Sequence, residues 1–213
     1  MNKKYKSQQS AVARLVVPYV YSLSNAKDMP TTTYKASEKE IQSLYGSVSL
    51  SFRDQLYLDL TGRNDWSSTL PVDNNSYFYP SATTSWIFTK TLNLNPEVFS
   101  FGKLRVGWAQ VGNDTDPYML DLTYSASTPY GSNPSFSLTN TMPAQNLKNE
   151  LITSQELGLD LKVFKNRLGL DLTLYKSSAK NQIMNAAIAS TSGYDQQTIN
   201  AGQIDNKGIE IVL

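Results

Sequence analysis

Apolar and polar residues alternate one by one along several stretches of this sequence. In residues 56–63, Leu56, Leu58 and Leu60 take every second position, and polar or aromatic residues fill the positions between them. Successive side chains of a β-strand point to opposite faces, so this alternation predicts a half-buried strand. Comparable runs predict strands at residues 44–52, 56–63, 77–88, 104–111, 157–163, 168–175 and 208–213, and a possible further strand at residues 15–21. The predicted fold class is all-β.

Helical signals are weak throughout the chain. Residues 37–40 (Ser-Glu-Lys-Glu) have the form of a helix capping box, but only Ile41 and Leu44 follow as apolar positions. We therefore predict a loop there. The longest apolar stretch, residues 15–20, contains Pro18 and is far shorter than the roughly 18 residues that a membrane-spanning helix needs.

The predicted connections alternate in length along the chain. Residues 53–55 and 165–167 form tight turns, and residues 89–102 form a medium connection at the same end of the sheet. At the other end the connections are long and polar, at residues 64–76, 112–151 and 177–205. Short periplasmic turns and long extracellular loops are typical of a transmembrane β-barrel, whereas a β-sandwich mixes lengths at both ends. The pattern predicts an antiparallel transmembrane β-barrel segment of about seven or eight strands.

Four acidic residues fall on the polar faces of the predicted strands. They are Asp59, Asp160, Asp171 and Glu210. A charge on the lipid face of a barrel is costly near the middle of the bilayer. We therefore predict that these side chains face a wet lumen and that the leucine faces contact lipid.

The absence of cysteine and histidine removes many kinds of chemistry at once. Thiol nucleophiles, disulfides, zinc sites built on cysteine or histidine, and Ser-His or Cys-His catalysis are excluded. The formal net charge is +1, which gives no overall field for nucleic acid. Asp114-Thr115-Asp116 resembles the start of a calcium loop, but Pro117 follows where that motif continues, so no metal or other cofactor is expected.

Several sequence blocks occur in an order that resembles the barrel of SusC/RagA-family TonB-linked outer-membrane proteins. The blocks are Leu44-Tyr45-Gly46-Ser47-Val48-Ser49, Gly62-Arg63-Asn64-Asp65-Trp66-Ser67, Tyr77-Phe78-Tyr79-Pro80-Ser81, Gln110-Val111-Gly112-Asn113-Asp114, Asn166-Arg167-Leu168-Gly169-Leu170-Asp171 and Asn206-Lys207-Gly208-Ile209-Glu210. The resemblance covers about residues 38 to 213. It implies a location in the outer membrane of a Gram-negative bacterium.

The resemblance also implies a transport function. Members of this family import glycans or peptides together with a SusD-like surface lipoprotein, and the TonB complex pulls on a plug domain inside a barrel of about 22 strands. We expect residues 38–213 to be a partial barrel and residues 1–37 to be an extracellular loop with a possible strand. A plug and a TonB box are not recognised in the sequence, so we expect a fragment that does not transport by itself.

Aromatic and hydrogen-bonding residues in the predicted outer loops are candidates for contact with an oligosaccharide or peptide cargo. They are Trp66, Asn113, Asp114, Asp116, Tyr118, Tyr130 and Tyr194. Such side chains could stack on a ligand and orient it, or they could belong to the interfacial girdle or pack the loops together. Residues 62–67 and 111–114 are predicted to secure the rim. The loop at 112–151 is long enough for an extra hairpin with residues 119–125 as one arm.

Three other functions stay open from the sequence. Tyrosine-rich polar loops also suit a soluble or surface all-β carbohydrate-binding module. A barrel without a plug could act as a passive pore. A carboxylate pair among Asp59, Asp160, Asp171 and Glu210 could in principle hydrolyse glycosides, but the sequence fixes no separation between them. We therefore expect a protein that is not an enzyme.

Overall fold

A computed structural model describes residues 2–131 and 133–213, and its regular structure is nearly all β. The strands are β1 (Asn2–Ala11), β2 (Thr31–Phe52), β3 (Leu56–Ser67), β4 (Ser76–Trp86), β5 (Phe99–Asn113), β6 (Tyr124–Tyr130), β7 (Asn133–Leu138), β8 (Thr141–Met142), β9 (Glu150–Val163), β10 (Leu168–Ala187) and β11 (Gln196–Val212). A single α-helical turn, α1, covers Phe88–Thr91. The all-β prediction is confirmed.

The chain divides into two compact units, one ending at Glu40 and the other beginning at Ile41. In the first unit, β1 pairs antiparallel with the start of β2, with Ala11 opposite Thr31. Lys4 forms an ion pair with Glu38 at 2.8 Å between Nζ and Oε1. The hydrogen bond from Lys4 lowers the pKa of the Glu38 carboxyl.

The sequence prediction for residues 1–37 and for the block at residues 37–40 was wrong in its secondary structure. Strands occupy Asn2–Ala11 and Thr31–Phe52, and the predicted strand at residues 15–21 is instead a turn with one isolated bridge, from Leu15 to Ala26. The side-chain amide of Asn25 donates to the carbonyls of Val17 and Val20, at 2.8 Å each. These bonds satisfy backbone groups that a strand would have paired with a neighbour.

In the second unit, consecutive long strands pair antiparallel in the order β2, β3, β4, β5, β9, β10 and β11. The register places leucine opposite leucine across several strands: Leu58 faces Leu50, and Leu159 faces both Leu104 and Leu172. Because directly opposite residues share a face, these leucines form one apolar face, which we call the leucine face. The short strand β8 pairs in parallel with Gln196 and Gln197 of β11.

The short connections lie where the sequence predicts them. Residues 53–55 join β2 to β3, and residues 164–167 join β9 to β10. Their central residues adopt left-handed conformations, with φ of 52° at Asp54 and 64° at Asn166. Asparagine and aspartate tolerate this region better than other non-glycine residues, so their presence fits the tight turns.

The long connections differ from the prediction in two places. The predicted loop at residues 177–205 is mostly strand, because β10 runs to Ala187 and β11 starts at Gln196. Apolar residues occur in this part of the ladder, but adjacent ones such as Ile183 and Met184 break the one-by-one alternation, so there is no period-two pattern to detect. An extra hairpin does occur in the loop at 112–151, but its arms are β6 and β7, not residues 119–125.

A small core lies on the long-loop side of the second unit. Leu70, Tyr77, Ala144 and Leu147 are buried and in contact, and Tyr79, Leu120 and Ile183 pack against them. The loops after β3 and β5 are therefore packed onto the ends of β4 and β10.

No helix within the described ranges is both long and apolar enough to cross a membrane.

Candidate functional site: the long-loop rim

The loop after β3 and the segment after β5 are joined by a buried polar lock. Ser67 Oγ donates a short hydrogen bond to Asp114, and Thr69 Oγ1 donates to the same carboxylate oxygen at 3.3 Å. The two hydroxyl oxygens are 2.9 Å apart, and each residue is only 2 % exposed. Residues 62–67 and 111–114 are thus connected, as the rim-securing interpretation expects.

A second polar group lies beside this lock on the ends of β3 and β4. Asp65 is 5 % exposed; its carboxylate accepts from Arg63 Nε at 2.8 Å and from the Tyr79 hydroxyl. The Arg63 guanidinium also donates to Ser43 Oγ at 3.0 Å. Buried carboxylates need charged or hydrogen-bonding partners, and this one has both. Sequence reasoning missed this group, because the predicted strand ended at Arg63 and Asp65 fell in the predicted loop at residues 64–76. Continuing the strand by two residues places both side chains on one face.

A third set of polar contacts ties the loop after β8 to β10 and β11. Asn200 Oδ1 accepts from the Lys148 backbone N–H at 2.7 Å, and its amide donates to the carbonyls of Lys148 and Asn181, at 2.8 and 2.9 Å. Glu150 accepts from Asn113 Nδ2 at 3.0 Å and from the Ile183 N–H at 2.9 Å. A cavity of about 530 Å³ lies against this seam, lined mainly by residues 142–148 and 197–200.

The structure distributes the candidate cargo-contacting residues over separate segments of the rim. Asn113 and Asp114 are already engaged in the contacts above. Asp116, Tyr118 and Tyr130 are exposed, and Tyr130 is 87 % exposed. Tyr194 is half-buried in the turn between β10 and β11, next to Ser192, whose hydroxyl donates to the Tyr194 carbonyl. A role in cargo contact stays a prediction for these residues.

Trp66 lies on the leucine face of β3. It is six residues after Leu60, and an even spacing along a strand keeps the same face. It is 40 % exposed. This placement favours the interfacial-girdle alternative for Trp66 over a contact with cargo on the opposite face.

Asp59, Asp160, Asp171 and Glu210 all lie on the face opposite the leucine face. Asp160 is directly opposite Asp171 and Lys103. Lys103 Nζ is 3.4 Å from Asp160, and Arg105 Nη2 is 3.0 Å from Asp171. A polar cavity of about 520 Å³ adjoins Arg105, Asp171 and Glu210. Exposure of this face to a wet lumen remains a prediction.

Arg105 illustrates how this polar face is packed. The side chain lies over Gly158, where an added Cβ would be 2.8 Å from Arg105 Nε. Each of the cations Lys103 and Arg105 thus holds one carboxylate of the opposed pair Asp160 and Asp171. Within the described ranges, no three acidic residues are arranged to hold a metal ion.

A family model described as TonB dependent receptor-like, beta-barrel matches residues 5–213 of the chain. The chain belongs to this TonB-dependent receptor family. It is 31 % identical over 199 residues to TonB-dependent receptor P26 of Formosa agariphila, and 27 % identical over 210 residues to receptor P3 of the same organism. These alignments cover 90 % and 95 % of the chain, but the chain spans only about a fifth of each relative, 20 % and 21 %.

Solved receptor structures share the fold of this TonB-dependent receptor barrel. The structure of the RagAB peptide transporter matches this chain with a TM-score of 0.82 at 18 % sequence identity. The match covers 99 % of this chain and 24 % of the transporter chain. The siderophore receptor PirA from Pseudomonas aeruginosa matches with a TM-score of 0.57 at 18 % sequence identity. That match covers 99 % of this chain and 38 % of the PirA chain. The family consists of receptors and transporters of the Gram-negative outer membrane and is not a family of enzymes. The short turns are accordingly periplasmic and the long loops extracellular.

Proposed function

We propose that the chain forms part of the barrel of a TonB-dependent importer for oligosaccharides or peptides. The observation that carries this proposal is the difference in fold similarity, a TM-score of 0.82 for the peptide transporter against 0.57 for a siderophore receptor. In this proposal a SusD-like surface lipoprotein covers the extracellular side, and the TonB complex acts through a plug domain. The cargo is a glycan or a peptide.

Exposed rim tyrosines supply the contact surface in this proposal. Tyr118 and Tyr130 are 53 % and 87 % exposed on the segment between β5 and β7. Aromatic rings with a polar hydroxyl stack on sugars and on peptide groups and form hydrogen bonds at their edge. Asp116 lies on the same segment and adds a carboxylate.

The first experiment identifies partner and cargo together. The receptor is extracted from native outer membranes in mild detergent, and co-purified lipoproteins and bound small molecules are identified by mass spectrometry. We expect a surface lipoprotein in equimolar amount and bound oligosaccharides or peptides. A receptor that carries an iron chelate and no lipoprotein would contradict the proposal.

The second experiment tests the rim. We expect the double substitution Tyr118→Ala and Tyr130→Ala to reduce uptake of the identified cargo several-fold, because about 1 kcal/mol is lost per aromatic contact. The matched control is Tyr34→Ala, which removes a tyrosine that is 60 % exposed in the first unit. Heat-modifiable gel mobility shows that each variant is folded. Equal uptake in the double variant and the wild type would contradict a role of these rings.

A soluble binding module is the second candidate, because the loops are rich in tyrosine and polar residues. It predicts a monodisperse protein in buffer without detergent. Recovery of the native protein only from detergent-extracted outer membranes would remove this candidate.

A further inference from the structure

A groove of about 890 Å³ crosses the leucine face of β5, β9, β10 and β11. Its floor is the paired row Gly107, Glu156, Tyr175 and Gly208. Side chains of this row point to the other face of the sheet, so the floor is mostly backbone. The wall on the short-turn side is the apolar row Val106, Leu157, Leu174 and Ile209, and the wall on the long-loop side begins with Trp108.

Two lysines stand in the same long-loop-side wall as Trp108. Lys176 of β10 and Lys207 of β11 are directly opposite each other in the register. Both are exposed, and within the described ranges no carboxylate oxygen lies within 4 Å of either ammonium nitrogen. Like charges directly opposite each other on neighbouring strands destabilise the sheet. An anion that bridges the two ammonium groups would remove this repulsion.

Neighbouring polar side chains add to the chemistry of this wall. Gln155 of β9 is directly opposite both Lys176 and Trp108, so its amide is available beside the lysine pair. Asp205 on the same face accepts from Gln203 Nε2 at 3.0 and 3.1 Å, and hydrogen bonds from Ser178 and Gln203, together with the charge of Lys176, lower the pKa of its carboxyl. One carboxylate beside two lysines leaves this wall with a net positive charge. The groove therefore combines one apolar wall with an opposite wall that carries an indole ring, an amide and two cations.

The change from leucine to lysine marks the edge of the hydrocarbon layer. A cationic side chain on the lipid face costs about 2–4 kcal/mol at the bilayer centre and about 0–1 kcal/mol near the interface. Lysine stems can also lie along apolar surface while the ammonium reaches the headgroup layer. Since the long loops are extracellular, the lysine pair lies in the outer leaflet.

We propose that this groove binds a phosphorylated lipid of the outer leaflet. One acyl chain lies along Leu157, Leu174 and Ile209, and the lipid phosphate bridges the ammonium groups of Lys176 and Lys207. The charge of a phosphate complements the lysine pair, and the apolar wall suits an acyl chain, which a free anion lacks. This site lies on the opposite face from the predicted lumen and does not depend on the identity of the cargo.

The test measures lipid that stays bound to the receptor. The full receptor is purified from outer membranes in mild detergent, and native mass spectrometry counts phosphorylated lipid per protein. Each lysine beside an anionic membrane surface contributes about a fivefold gain in affinity, so Lys176→Gln with Lys207→Gln should lower lipid affinity about twenty-five-fold. The charge-retaining pair Lys176→Arg and Lys207→Arg should keep the lipid.

A matched control removes the same charge elsewhere. Lys3→Gln with Lys6→Gln changes two exposed lysines of β1 and should leave the bound lipid unchanged. If the glutamine pair does not show heat-modifiable mobility, the single Lys207→Gln variant carries the test with an expected loss of about fivefold. Equal bound lipid in the wild type and the folded glutamine variant would overturn the proposal.

A reconstitution experiment separates lipid from free phosphate. Wild-type receptor is placed in nanodiscs of phosphatidylcholine, with or without a phosphorylated anionic lipid, and excess inorganic phosphate is added to a separate sample without that lipid. We expect the anionic lipid to raise the thermal unfolding midpoint of the wild type but not of the glutamine variant. Equal protection by inorganic phosphate would overturn the lipid assignment.

Discussion

In β10, residues 168–175 and residues 176–187 belong to one antiparallel ladder, yet their side chains follow different patterns. The first part carries leucine at every second position, and its Leu172 and Leu174 pair with leucine on β9 and with isoleucine on β11. The second part mixes polar and apolar residues, and specific side chains reinforce the backbone ladder that pairs it with β11. Glu150 accepts from the Ile183 N–H, and Asn200 donates to the Asn181 carbonyl.

This difference shows two ways of fixing the same backbone. In the first part, the leucine face is predicted to contact lipid. Many leucines then contribute to stability together, and each contributes by being apolar rather than by contacting one particular partner. In the extracellular part, water is available on all sides, and the arrangement of loops depends on a few specific hydrogen bonds. In the first part, the effect of a substitution should therefore depend on which face of the sheet it changes. In the second part, it should depend on whether the substitution removes a specific hydrogen-bond partner.

The largest expected effect is a charge placed on the leucine face. Leu172→Arg should destabilise the receptor by about 2–4 kcal/mol, because the guanidinium would enter the hydrocarbon layer. Gln203→Arg on the same face of β11, beyond the lysine pair, should cost only about 0–1 kcal/mol. Urea unfolding in lipid vesicles, followed by tryptophan fluorescence, measures both. Equal costs would mean that the lysine pair does not mark the membrane boundary.

A smaller effect is expected where a glycine meets a buried ring. A Cβ at Gly112 would lie 2.5 Å from Cδ2 of Tyr77, whose side chain is buried in the small rim core. Gly112→Ala should therefore cost about 1–3 kcal/mol by overpacking. At Gly169 no atom lies within 4 Å of an added Cβ, so Gly169→Ala serves as the control. If both variants unfold at the same urea concentration, the rim packing is looser than described.

The smallest effect should come from the polar lock. Ser67→Ala removes the donor to Asp114, and Thr69 still donates to the same carboxylate. We expect a loss of about 1 kcal/mol, the usual net contribution of one hydrogen bond. Hydrogen exchange should accelerate in residues 114–149 and not in β9. Ser51→Ala, at an exposed position of β2, should change neither rate.

The strands that carry the leucine face could be predicted from the sequence because their two faces differ in polarity. The leucines of β3, β9 and β10 alternate with polar residues, and the strands occur where this alternation predicts them. The strands beyond the membrane could not be found in the same way. Residues 177–187 and 196–205 mix polar and apolar residues without regular order, so period-two alternation is missing although the ladder continues.

The rim could be predicted only in part, because the sequence around a side chain does not show which distant residue it will contact. Asp114 is a residue type that often contacts ligands. Here its carboxylate accepts hydrogen bonds from Ser67 and Thr69, which belong to a segment that is distant in sequence. Trp66 is different, because its even spacing from Leu60 already indicates the leucine face. Applying the alternation beyond the predicted strand end would have placed it correctly.

The seam at Asn200 has a mechanical consequence. One side chain bonds the loop at Lys148 and the strand at Asn181 simultaneously, and a neighbouring carboxylate, Glu150, bonds the same strand at Ile183. The loop after β8 and the extracellular ends of β10 and β11 should consequently move together as one rigid unit. Probes attached to the loop and to the strand tips would then report the same motion with the same time constant.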